Sequence, residues 1–103
     1  MSKEVWIGLV NLMPNAGNED LKGAKGAYVN ILAFAESVED YKNVVKFAAY
    51  EHDYTIQEIK DVELFDVRSK NFEIDDDLIN LSKKVAETRK THFGEFFIYE
   101  AED

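Results

Sequence analysis

The chain predicts an α+β fold: a two-layer sandwich in which a mixed, mainly antiparallel sheet of four to five strands carries two helices on one face. Three observations lead there. Apolar runs rich in β-formers open and close the chain, and two segments between them place apolar residues at helical spacing. The resulting order is strand, loop, strand, helix, one or two strands, helix, strand, which suits layers packed around one core. At 103 residues the chain is expected to form a single domain, 1–103.

Residues 4–13, EVWIGLVNLM, read as a first strand ended by Pro14 and Asn15, with Gly8 as a candidate bulge. Trp6 is expected in the core; exposed on an edge strand, it would mark a homodimer seam. Residues 15–27, NAGNEDLKGAKGA, hold three glycines and few large apolar side chains, and read as a loop. The run YVNILAFAE, residues 28–36, is nearly all apolar and fits a central strand covered on both faces, or one whose second face is partly covered. Ser37 can cap the helix that follows, with Asp40 three residues on. Val38, Tyr41, Val45 and Ala48 then fall on one face, and the helix should run to about Tyr50.

Residues 54–68 carry two apolar sets of opposite parity: Tyr54, Ile56, Val62 and Leu64 against Ile59, Phe65 and Val67. A straight strand keeps one parity per face, so the segment must bulge, bend or turn near Lys60 and Asp61. One long bent strand and a hairpin both satisfy this. A second helix is expected from Asp75, where Asp75, Asp76 and Asp77 complement the positive helix end. Leu78, Leu81 and Val85 line its core face, and Lys83, Lys84, Arg89 and Lys90 favour the later turns. Residues 93–103 give a last strand with Phe96 and Ile98 inward and Phe93 a further candidate, followed by an acidic end. If the middle segment is a hairpin, residues 28–100 take the ferredoxin-like order β-α-β-β-α-β, with the first strand added at an edge.

Composition narrows the function. There is no cysteine, so disulfides, thiolate metal sites and cysteine nucleophiles are excluded. No secretory leader pattern opens the chain, and a cytoplasmic location is expected. The formal charge of −9 argues against binding nucleic acid or an anionic membrane. That charge has a pole: residues 51–77 hold ten acids against Lys60, Arg68 and Lys70.

Catalytic material is scarce. Glu51, His52 and Asp53 are consecutive, whereas metal ligands usually come from spaced positions, and a solvent-exposed turn explains them more simply. His92 reads as a loop histidine. The aspartate triplet lacks the alternation and glycine of a calcium loop, and Gly17, Gly23 and Gly26 match no nucleotide motif. No cofactor or metal is expected, and no enzymatic activity. The acids Glu58, Asp61, Glu63 and Asp66 have two readings: the wet face of a half-buried sheet, or a recognition face beside Tyr54 or Phe65. On the second, Glu58, Asp61, Glu63, Phe65, Asp66, Asp75, Asp76 and Asp77 form the partner-binding surface, and the protein acts as a monomer or homodimer.

The segments AYVNILAFAESVEDY (27–41), VELFDVR (62–68) and FGEFFIYE (93–100) together resemble a group of small bacterial α+β proteins. Acidic single-domain proteins of that sort recur among immunity proteins that neutralise toxins of contact-dependent growth inhibition and related systems. The resemblance lies in apolar pattern and element order, and it carries over no functional residue. It implies a non-enzymatic inhibitor that occludes a basic partner, such as the active-site cleft of a nuclease toxin. A second expectation, from another class, is a dimeric small-molecule-binding or sensory domain with the glycine loop at 15–27 covering a pocket on the sheet.

Overall fold

The computed structural model describes residues 2–99. The elements run β1 (Glu4–Pro14), β2 (Gly26–Ala35), α1 (Val38–Glu51), β3 (Tyr54–Leu64), α2 (Phe65–Asn71), α3 (Asp76–Thr88) and β4 (His92–Tyr99). The strands make one sheet in the order β3-β1-β2-β4, and every neighbouring pair is antiparallel. The α+β class is as predicted, but the strand order is not the ferredoxin-like one. No helix among the described residues is long and apolar enough to cross a membrane.

β1 is not an edge addition. It lies between β2 and β3, because both of its faces are apolar: Trp6, Val10 and Leu12 join one cluster of core side chains, Val5 and Ile7 another. Trp6 is partly buried and donates its indole N–H to the Ala35 carbonyl at 2.9 Å. β2 is central too, as its unbroken apolar run suggested. Successive strand residues point to opposite faces, and Ile31 belongs to the first cluster while Leu32 belongs to the second.

The helices therefore cover both faces rather than one. Tyr41, Val45 and Ala49 of α1 pack on the first face; Val85, Leu78 and Leu81 of α3, with Phe65 of α2, pack on the second. Two layers were expected because each helix shows one apolar stripe. A stripe says that a helix packs on a sheet, and not on which side.

Both long helices start as their sequences dictate. Ser37 accepts from the Asp40 amide at 3.0 Å, and Asp75 accepts from the Leu78 amide at 3.0 Å. Val38 departs from the predicted stripe and stays 41% exposed, with Ala49 buried in its stead. Gly8 keeps β1 in unbroken register with β2, while on its other side the β1–β3 register shifts between Ile7 and Leu9, so the irregularity expected at Gly8 is met by the extra residue on β3. The glycine's lack of a side chain makes room for Tyr41, whose hydroxyl donates to the Ile31 carbonyl at 2.7 Å.

The bends fall in β3, which is one bent strand and not a hairpin. Its register against β1 shifts between Asn11 and Leu12 and again between Ile7 and Leu9, and Asp61 sits there at φ +56°. Those shifts bring Ile56, Ile59 and Val62, three residues apart, to one cluster. The strand stops at Leu64, and residues 65–68, expected to be extended, open α2 instead. In β4 a further shift opposite Asn30 puts Phe93 and Phe96 on one face, their rings stacked 6.1 Å apart. Ile98, expected inward, is 52% exposed. Residues 100–103 of the predicted last strand lie outside the described residues.

The glycine-rich connection is packed against the end of the sheet. Leu21 and Ala24 are buried, and the Asn18 amide donates to the Asp53 carbonyl at 2.8 Å.

Candidate functional site

The second sheet face is only half covered. α2 and α3 lie over Val5, Ile7, Leu32 and Phe34, while Leu9, Asn11, Tyr28, Asn30 and Phe97 continue the same face beyond them. Where the helices end, a trough opens. Its larger part, about 730 Å³, is floored by Leu9 and Asn30 and walled by residues of β3, α2 and the α2–α3 link. A second part of about 350 Å³ adjoins it across Asn30, Asp75 and Leu78, and runs to β4.

The chain's acids converge here from separate elements. Asp61 and Glu63 come from the bent end of β3, Glu73 and Asp75 from the link, Asp77 from α3 and Glu95 from the β4 bulge. Six carboxylates meet two cations, Arg68 and Lys84. The formal excess is four negative charges.

Local chemistry explains each position. Arg68, in the last turn of α2, holds Glu63 at 2.5 Å and donates to the Asp61 carbonyl at 2.9 Å, so it ties the helix to the bulge. Glu63 is thus partly neutralised by a partner of its own. Asp75 caps α3 with one oxygen while its side chain stays exposed. Apolar surface is interleaved with these acids: Phe72 is 61% exposed and Phe97 53% exposed. Tyr28, directly opposite Phe97 in the register, is held between the Tyr99 ring at 5.5 Å and the Lys60 ammonium at 5.6 Å. This aromatic surface already stacks one cation. The Tyr99 hydroxyl is fixed by the Asn11 amide oxygen at 2.6 Å.

Of the residues singled out in the sequence, Asp61, Glu63, Asp75 and Asp77 line the trough. Glu58 is exposed on the same face, opposite Asn11, outside it. Asp76 is exposed on the first turn of α3 and lines neither part. Asp66 lies elsewhere, by Glu4 and Lys83 in a smaller cleft. Phe65 is buried at 7% exposure and anchors α2 in the second cluster, so it offers no contact surface. Glu73, Glu95, Phe72, Phe97 and Asn30 were missed. Glu73 stood within the acidic pole, but nothing in the pattern places Glu95 against Asp77.

Glu51, His52 and Asp53 sit exposed where α1 ends and turns, with the His52 ring edge-on to Phe93 at 5.3 Å. Among the described residues no three histidine or acidic side chains converge as a metal site would require. Burial pushes the Tyr41 phenol well above its usual range. Burial likewise pushes the Tyr54 phenol up, and the nearby Asp20 carboxylate adds to it. No protein-family model matches the chain, and neither a curated protein nor a solved structure shows significant similarity to it.

Proposed function

We propose that the protein is a non-enzymatic binding module that occludes a basic partner protein through the acidic trough. One observation carries this: carboxylates from four separate segments are gathered around a trough that also presents Leu9, Phe72 and Leu78. An arginine or lysine of a partner has the complementary form, an apolar stem that can lie on Leu9, Phe72 and Leu78 and a charged head that meets the rim. The same excess charge would speed encounter with a basic cleft and reject acidic surfaces. The catalytic cleft of a nuclease toxin is such a surface, so inhibition by occlusion, as in an immunity protein, is the activity we assign.

The experiment is a salt titration of binding to the basic partner, with the triple variant Asp61→Asn, Asp75→Asn, Asp77→Asn beside the native chain. Asparagine keeps the cap of α3 and removes only charge. Rim ion pairs contribute about 0.2–1 kcal/mol each, so the triple variant should bind roughly 3- to 150-fold more weakly at low salt and lose much of its salt dependence. Unchanged affinity and unchanged salt dependence would remove the trough from the interface. The glycine-rich connection folds Leu21 and Ala24 into the core and none of its residues lines the trough, which favours the trough over that connection as the binding surface.

A further inference from the structure

We infer that the partner segment enters the trough as an added β-strand, pairing with the free edge of β4, and that this segment alternates basic and apolar residues. The inference rests on the reading of the trough as a site for a basic protein, and adds to it the form of the ligand.

The sheet has two edges, β3 and β4. Unpaired edge strands invite further strands, and proteins blunt them with bulges and charges. β3 is blunted: it has two register shifts, a left-handed Asp61, and Glu58, Lys60 and Asp61 along its outer half. β4 is not. After its one irregularity opposite Asn30, it continues as Phe96, Phe97, Ile98 and Tyr99, without a charge, and with Phe97 and Ile98 both more than half exposed.

The two faces beside that edge differ. Phe97 shares the trough face with Asp75, Asp77 and Glu95, against Lys84 and, over the neighbouring Tyr28 ring, Lys60. Ile98 pairs with Ala27 and Phe96 with Val29, both of the opposite face, which is apolar there. Side chains of an added strand alternate between these faces. Every second one would meet carboxylates and the Phe97 ring, where a lysine or arginine is favoured; those between would cover Ile98 and Phe96. Main-chain bonds would supply affinity, and the alternation specificity. A second copy of this chain is a poorer occupant. Its β4 would bring its own Asp75, Asp77 and Glu95 against the same three acids.

The test uses two synthetic peptides as long as the 8-residue β4, both of lysine and valine in equal number. One alternates strictly and the other carries the same residues in two blocks. Binding to the full chain is measured by titration at low salt, with amide hydrogen exchange followed along β4. The alternating peptide should bind at least about tenfold more tightly than the block peptide, a difference of roughly 1.4 kcal/mol, and slow exchange at Phe96–Tyr99. Phe97→Ala and Glu95→Gln should each weaken the alternating peptide and leave the block peptide unchanged. Equal binding of both peptides without protection of β4 would overturn the strand pairing while leaving the acidic trough standing as a site for charge. Failure of both to bind would overturn the two together. Concentration-dependent protection of β4 in the chain alone would show that a second copy takes the edge, and would overturn the assignment to a basic strand.

Discussion

Replacing Gly8 by alanine probes how closely α1 is seated on the sheet. A Cβ at that position would lie 2.7 Å from the Tyr41 hydroxyl and 3.0 Å from two ring carbons. Forcing a methyl group into such a space costs roughly 1–3 kcal/mol. If Tyr41 swings aside, its 2.7 Å bond to the Ile31 carbonyl goes as well, adding about 0.5–1.5 kcal/mol. Alanine restricts the unfolded chain more than glycine and offsets about 0.5–1 kcal/mol of this. The net loss for Gly8→Ala is roughly 2 kcal/mol, or about 8–16 °C in Tm for a domain of this size. Tyr41→Phe alone should lose about 1 kcal/mol. In the double variant the struck oxygen and the breakable bond are both gone, so the two losses should fall short of their sum by about 1 kcal/mol. Urea unfolding of the four proteins measures this directly. Additivity within about 0.3 kcal/mol would refute the close approach.

Other expectations follow from the same geometry. Stability should decline above the ordinary phenol range near pH 10, because the unfolded chain releases the Tyr41 and Tyr54 protons while burial holds them in the folded one. Each buried phenol contributes a slope of up to about 1.4 kcal/mol per pH unit, and Tyr41→Phe should flatten thermal-melting curves there. Phe65→Ala should lose about 3–5 kcal/mol, as a core aromatic would; a folded variant with native stability and impaired partner binding would return Phe65 to the surface. Asp75→Ala should lose about 1 kcal/mol of stability by uncapping α3, whereas Asp75→Asn should melt as the native chain does. Arg68→Ala should loosen α2 by about 1 kcal/mol, yet strengthen binding of a lysine-rich peptide, since it frees Glu63; weaker binding in calorimetry would contradict the role given to that carboxylate.

Periodicity disclosed what each segment buries, and less about its neighbours. The two parities of residues 54–68 correctly demanded a bend near Asp61, because a face is a local property of a strand. The run of β1 held the same sign of a central strand that β2 did, apolar residues of both parities, but its place between β2 and β3 depends on pairings far apart in sequence. α2 escaped because Phe65 and Val67 alternate as in a strand, and only the packing of Phe65 in the second cluster decides for a helix turn. For the site, the acidic pole was plain in composition, and Asp61, Glu63, Asp75 and Asp77 were found through it. The participation of Glu95 and Phe97 depends on β4 lying beside α3, a contact that no local pattern encodes.

The strand order also sets when the trough can form. Synthesis proceeds from the amino terminus, and β1 with β2 can pair as the first long-range structure. β3 joins β1 only after α1 has been made, and β4 closes the other side last. The larger part of the trough is lined from β1, β2, β3, α2, the α2–α3 link and α3, whereas the smaller part also takes Phe93, Glu95 and Phe97 from β4 and comes into being only with the final strand. A chain halted before β4 would have the larger hollow without the smaller one and without the exposed edge of Phe96–Tyr99. On the proposed function, strand pairing is thereby reserved for molecules whose translation has passed β4, and a fragment ending in α1 would lack the trough altogether.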